Sequence, residues 1–156
     1  MLAEMKPGET FFYKREWYKA ILKLEAFTRL KDIDNDLIEK AADMIERARR
    51  NLRDEVEPLL GEARSLREGQ DLKGAYELYS KIYQLDQSNT AVLNEMEEIR
   101  QRLEKRSMKV YREALIAESL SLFDEAKEKF QEVQRISPSD SQYYKKASDK
   151  LKNYFE

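Results

Sequence analysis

Three stretches of this chain place small, apolar and bulky residues in one shared order. From Gly8, Ala63 and Ala114, an apolar residue follows three positions on (Phe11, Leu66, Ala117) and a bulky one nine on (Trp17, Leu72, Phe123). Twelve on is always Ala (Ala20, Ala75, Ala126), and sixteen on is always large (Leu24, Tyr79, Phe130). Nineteen on comes Phe27, Ile82 or Val133, and twenty-two on Leu30, Leu85 or Ile136. Steps of four and three residues, as from Ala20 to Leu24 to Phe27, put side chains on one stripe of a helix. An Ala facing Gly or Ala on the preceding helix lets two axes approach closely, and the large residue one turn later fills the widening gap. These stripes therefore read as core, not as ligands.

The stretches between them are helical as well. Asn35–Glu55 carries Ile38, Ala41, Ile45, Ala48 and Leu52 at alternating three- and four-residue steps, and Thr90–Arg106 carries Val92, Met96, Ile99 and Leu103. Neither contains Gly or Pro. Each insert is expected to lengthen the first helix of the next hairpin, by roughly 30 and 25 Å at 1.5 Å per residue.

The pattern thus predicts short helices over Glu9–Tyr13 and Glu16–Leu30, the first merging into the second or standing apart. A long helix from Asp36 to about Leu66 follows. It is expected to kink or break near Asp54–Leu59, because Pro58 removes an intrahelical bond and Gly61 weakens the same turn. Leu72–Leu85 comes after a Gly69 stop and an Asp71 cap. Thr90–Leu120 is expected as one helix capped by Ser88, Asn89 or Thr90. Asp124–Ile136 and a capping helix from Ser141 to about Tyr154, with Ser139 or Asp140 at its start, complete the chain.

The order of small, apolar, bulky, Ala, aromatic and apolar residues resembles the tetratricopeptide repeat, a 34-residue pair of antiparallel helices. The copies are about 1–34, 56–89 and 107–140, and "LIAESLSLFDEAKEKFQEVQRISPSD" is the best of them. The resemblance implies an all-α fold of tandem antiparallel hairpins stacked as a short solenoid, with 1–156 as a single repeat domain. The sequence departs from the family in spacing. Ala20 to Ala75 is 55 residues and Ala75 to Ala126 is 51, which leaves inserts of 21 (35–55) and 17 (90–106). Residues 141–156 would seal the last repeat, whose outer face is otherwise bare.

Composition narrows the function. Charged residues make up 38% of the 156, with 29 basic and 31 acidic, while Gly (4) and Pro (3) are scarce. This suits long solvent-facing helices, and a net charge of −2 gives no general reason to bind nucleic acid. There is no Cys and no His, so thiol nucleophiles, histidine triads and Cys/His metal sites are all excluded. No apolar run spans a membrane. The first residues lack the pattern of a signal peptide. The cytoplasm is the expected compartment, with the periplasm open if the chain is a piece of a longer protein.

Candidate chemistry is sparse. The carboxylate pairs, such as Asp34/Asp36 and Glu97/Glu98, sit among basic residues on outward faces and read as solvated surface. Asp32–Asp36 lacks the Gly and the closing Glu of a calcium loop. The basic clusters Arg47–Arg53 and Arg100–Lys109 are interleaved with Glu at helical pairing distance, and no aromatic stands among them for stacking on bases. No enzyme activity, cofactor or metal is expected.

What remains is binding. In the resembled family, ligand peptides lie against the first helix of each repeat. The matching groove positions here are Phe12, Tyr13, Leu60, Arg64, Arg67, Tyr111, Arg112, Leu115 and Glu118. The Lys/Asn set with which some members clamp a peptide carboxylate is absent, since Lys6, Gly61 and Arg112 occupy the matching places. The expectation is a scaffold or adaptor that binds another protein, with Tyr111 as anchor and Arg64, Arg67 and Arg112 steering an acidic segment. The alternative is a helical-bundle or coiled-coil assembly element that forms homodimers through its long helices.

Overall fold

The computed structural model describes residues 2–155, with side chains from residue 4 onward. Among these residues the chain is all-helical. The helices are α1 (Leu2–Tyr13), α2 (Trp17–Thr28), α3 (Asn35–Glu68), α4 (Leu72–Leu85), α5 (Thr90–Ser119), α6 (Phe123–Ile136) and α7 (Gln142–Leu151), followed by a 3-10 turn at Lys152–Tyr154. No helix among the described residues is long and apolar enough to cross a membrane.

The two long helices form as the insert stripes predict. In α3, Ala41, Ile45, Ala48, Leu52 and Val56 are buried. In α5, Val92, Ile99, Leu103, Val110, Ala114 and Ala117 are buried. The break expected near Asp54–Leu59 is absent, because α3 continues through Pro58 to Glu68. Pro58 and Asp54 both lie on the exposed side. The Asp54 carbonyl that loses its partner therefore faces water, and the stripe from Leu52 and Val56 to Ala63 stays buried on either side of the proline.

Three hairpin turns, α1–α2, α3–α4 and α5–α6, share one backbone conformation. Each contains a non-glycine residue in the left-handed region: Arg15 (φ 61°), Gln70 (φ 66°) and Ser121 (φ 59°). All three stand seven positions after the small residue of their copy. The next residue's N–H returns to the carbonyl five back in each turn: Glu16 to Phe11 (3.0 Å), Asp71 to Leu66 (2.9 Å) and Leu122 to Ala117 (2.9 Å). The left-handed residue's own N–H reaches the carbonyl three back, on Phe12, Arg67 and Glu118. This is a Schellman ending, which satisfies carbonyls that the helix end would otherwise orphan. It differs from the expected stop at Gly69, since the left-handed position falls one residue later. It also keeps α1 and α2 apart. α1 starts earlier than expected because Met5 is fully buried.

The caps are partly as expected. Asp71 Oδ1 accepts from Gly74 N–H at 3.0 Å. The start of α7 is capped by Ser141, which accepts from Tyr143 N–H at 3.2 Å, and not by Ser139 or Asp140.

The chain divides into two compact units. One runs to Glu62 and includes Lys81–Thr90; the other contains Ala63–Ser80 and the chain from Ala91 onward. In the first, Gly8 marks a close approach of α1 and α2. A Cβ there would lie 2.7 Å from Leu24 side-chain carbons and 3.2 Å from the Leu24 backbone nitrogen. In the second, Val110, Ala114 and Ala117 of α5, Ala126, Phe130 and Val133 of α6, and Ala147 and Leu151 of α7 form one core.

Candidate interaction surfaces

In the first unit, α2 and the middle of α3 leave a groove of about 710 Å³ between two helical stripes. Tyr18, Ile21, Leu22 and Glu25 face it from α2 at spacings of three and four. Leu52, Val56 and Leu60 face it from α3 at spacings of four. Leu52 and Val56 are buried and make the floor, while Leu22 remains 47% exposed on the wall. Asp86, Ser88 and Asn89, from the α4–α5 connection, line its edge. The Asp86 carboxylate accepts from the Ser88 N–H (3.1 Å) and hydroxyl (2.5 Å).

The rim charges are unequal. Arg49 and Glu25 pair with each other. Glu46, Glu57 and Asp86 then stand against Arg53 alone, so the groove carries a net negative rim over an apolar floor.

The residues expected to form a partner groove divide between the two units, with Phe12, Tyr13 and Leu60 in the first and the remainder in the second. In the first unit, Phe12 is 6% exposed and its ring is edge-on to Trp17 at 5.3 Å, with the Arg47 guanidinium 5.2 Å above it. Tyr13 is freely exposed. This pair lines a recess with Arg47, Asn51 and Asp54, whereas Leu60 lies in the α2/α3 groove. The Trp17 indole N–H donates to Glu55 at 3.0 Å, tying α2 to α3.

In the second unit, Arg64 and Arg112 are exposed. Arg67 is engaged by Glu95 and by Glu98, the latter at 3.1 Å, so much of its charge is compensated within the unit. Tyr111, Leu115 and Glu118 do come together, under α7. Tyr111 packs 5.8 Å from both the Phe130 and Tyr143 rings, and Leu115 rests on the core. Glu118 accepts from Lys150 Nζ and from the Tyr154 hydroxyl, each at 2.7 Å. These two donors hold the Glu118 carboxyl below the usual carboxylate range. The bond to Glu118 raises Lys150, while burial, followed by Glu118, pushes Tyr154 up to about 12.

Sequence reasoning missed Tyr18, Ile21 and Leu22. A signal was present: Ile21 and Leu22 are apolar yet fall outside the Ala20–Leu24–Phe27 core stripe. Among the described residues no three acidic side chains converge into a metal-sized cluster. Comparison with protein-family models, with curated proteins and with solved structures finds no match.

Proposed function

We propose that the chain is a protein–protein interaction module, a scaffold or adaptor of the tetratricopeptide-like kind. Its hairpins stack as a short solenoid and present helical surface to a partner without chemistry of their own. The observation that carries this reading is the recurrence of one Schellman turn at the same position of three hairpins, each preceded and followed by a fully buried small or Ala residue. Repeated hairpins of this sort build extended faces rather than enclosed active sites. The α2/α3 groove is a concave face of the first unit, and in the second unit Arg64 and Arg112, of the three arginines named, remain exposed to steer an acidic segment.

Self-association through the long helices draws little support. Ile45, Leu52, Ile99 and Leu103, the residues such an interface would use, are already buried in the single chain.

The test is affinity capture, followed by reconstitution with the purified, identified partner and titration calorimetry. Saturable binding that falls on Arg64→Glu/Arg112→Glu, or on Leu22→Lys, is the expected result. Absence of any saturable partner, together with an inseparable oligomer by light scattering, would replace the module with an assembly element.

A further inference from the structure

We infer that the α2/α3 groove receives an amphipathic helix of a partner protein, with an apolar stripe flanked by Lys or Arg. This rests on the interaction-module reading and assigns the occupant of one face.

The shape argues for a helix. Both walls are helical stripes, so the lining offers side chains and no free backbone ladder. An extended peptide would bring unpaired N–H and C=O groups to an apolar floor, where they cost free energy. A helix satisfies its own backbone and presents anchors at i, i+3, i+4 and i+7. The groove follows α3 from Glu46 to Leu60, about 21 Å at 1.5 Å per residue, which matches a partner helix of about four turns.

The charge argues for basic flanks. With Glu25 and Arg49 paired to each other, Glu46, Glu57 and Asp86 outnumber Arg53. Glu46 and Glu57 are exposed on α3. An acidic rim around an apolar floor selects basic residues beside an apolar stripe. A second copy of this chain does not meet that description. Its basic stretches, Arg47–Arg53 and Arg100–Lys109, lie on helices whose neighbouring apolar residues Ile45, Ala48, Leu52, Ile99, Leu103 and Val110 are already buried.

The probe is a labelled synthetic helix of about four turns with Leu at i, i+3, i+7 and i+11 and Lys on both flanks. A twin carries Glu in place of Lys. Fluorescence anisotropy should show the Lys peptide binding on the order of ten-fold more tightly than its twin at low salt, with the gap narrowing as salt is added. Leu22→Lys should weaken the Lys peptide by a similar factor. Glu46→Lys/Glu57→Lys changes only exposed positions and should reverse the preference between the peptides.

Equal binding of the two peptides, binding indifferent to Leu22→Lys and to the double reversal, or no binding of either would each overturn the proposal. A preference for the Glu peptide that disappears in Arg64→Glu/Arg112→Glu would overturn it while leaving the module reading intact. The partner-capture experiment decides that reading separately.

Discussion

The Ser137 hydroxyl donates to Ser107 Oγ at 2.7 Å, and neither side chain has any solvent exposure. Ser107 in turn donates to the Leu103 carbonyl one turn back in α5, also at 2.7 Å. The end of α6 is thereby tied to the interior of α5 by two consecutive hydrogen bonds.

Removing Ser107 alone should cost more than removing both serines, because Ser107 is the acceptor of the Ser137 hydroxyl, whereas Ser107 keeps the Leu103 carbonyl when Ser137 is removed. Ser107→Ala leaves the Ser137 hydroxyl buried and without its acceptor, at about 1–3 kcal/mol. In Ser107→Ala/Ser137→Ala nothing is left to desolvate, so the double variant should be destabilised by clearly less than the sum of the singles. Chemical denaturation of the three variants measures the coupling, and strict additivity would mean that the bond contributes nothing.

Gly8 should resist even one added carbon. A Cβ at this position meets Leu24, which is itself fully buried, and it approaches Leu24 backbone as well as side chain. Gly8→Ala should therefore overpack the α1–α2 contact by about 1–3 kcal/mol, although alanine ordinarily favours a helix. Gly61→Ala is the control, because nothing lies within 4 Å of a Cβ there. It should be neutral or stabilising by up to about 1 kcal/mol. Thermal unfolding of the two variants should move in opposite directions.

These cases show what the sequence discloses and what it hides. Gly8, Ala63 and Ala114 could be read as contact positions because close approach restricts the residue type, and all three are buried. The long helices were equally legible, since a buried stripe needs only periodicity. The continuity of α3 through Pro58 was not. It depends on the proline lying on the exposed side, which local propensity does not weigh. The groove was obscured for a related reason. Leu60 is a groove position of the repeat, but its companions Ile21 and Leu22 lie on α2, whereas the resemblance places ligands against the first helix of each hairpin. Tyr111, Leu115 and Glu118 match groove positions of the repeat, but Tyr143 and Lys150 of α7, with Tyr154 beyond it, pack against Tyr111 and Glu118.

The left-handed turn residues give a prediction that tests the repeat itself. Arg15, Gln70 and Ser121 each hold a conformation that costs an ordinary L-residue about 1–2 kcal/mol. Arg15→Gly, Gln70→Gly and Ser121→Gly should each be neutral to stabilising by about 1 kcal/mol, because relief of this cost outweighs the added freedom of the unfolded chain. Gln70→Val should destabilise by a comparable amount. If the three glycine variants diverged in sign under denaturant titration, the turns would not be equivalent in solution.

The Glu118 contacts with Lys150 and Tyr154 should give stability a pH dependence with two edges. Glu118 is lowered in the folded state, first by the Lys150 hydrogen bond and then by that of Tyr154. Its contribution is therefore complete above the ordinary carboxylate value of about 4.3 and is lost as pH falls through the lower folded value. Tyr154 is raised to about 12 by burial and by Glu118. Its contribution is complete below the ordinary tyrosine value of about 10 and is lost as pH rises through about 12. Lys150, also raised, loses its contribution as pH rises through its own raised folded value. The Lys150 side chain is 35% exposed, so solvent screening keeps the effect small. Glu118→Gln should lower Tm by on the order of 2 °C near neutrality. That gap to the parent should stay level across the neutral range, narrow as pH falls below the ordinary carboxylate value of about 4.3, and close only once pH is below the lower folded value. Tyr154→Phe should flatten the alkaline edge and leave the acid edge in place. A gap that persisted unchanged at low pH would show that the Glu118 charge does not hold α7 and the turn beyond it against α5.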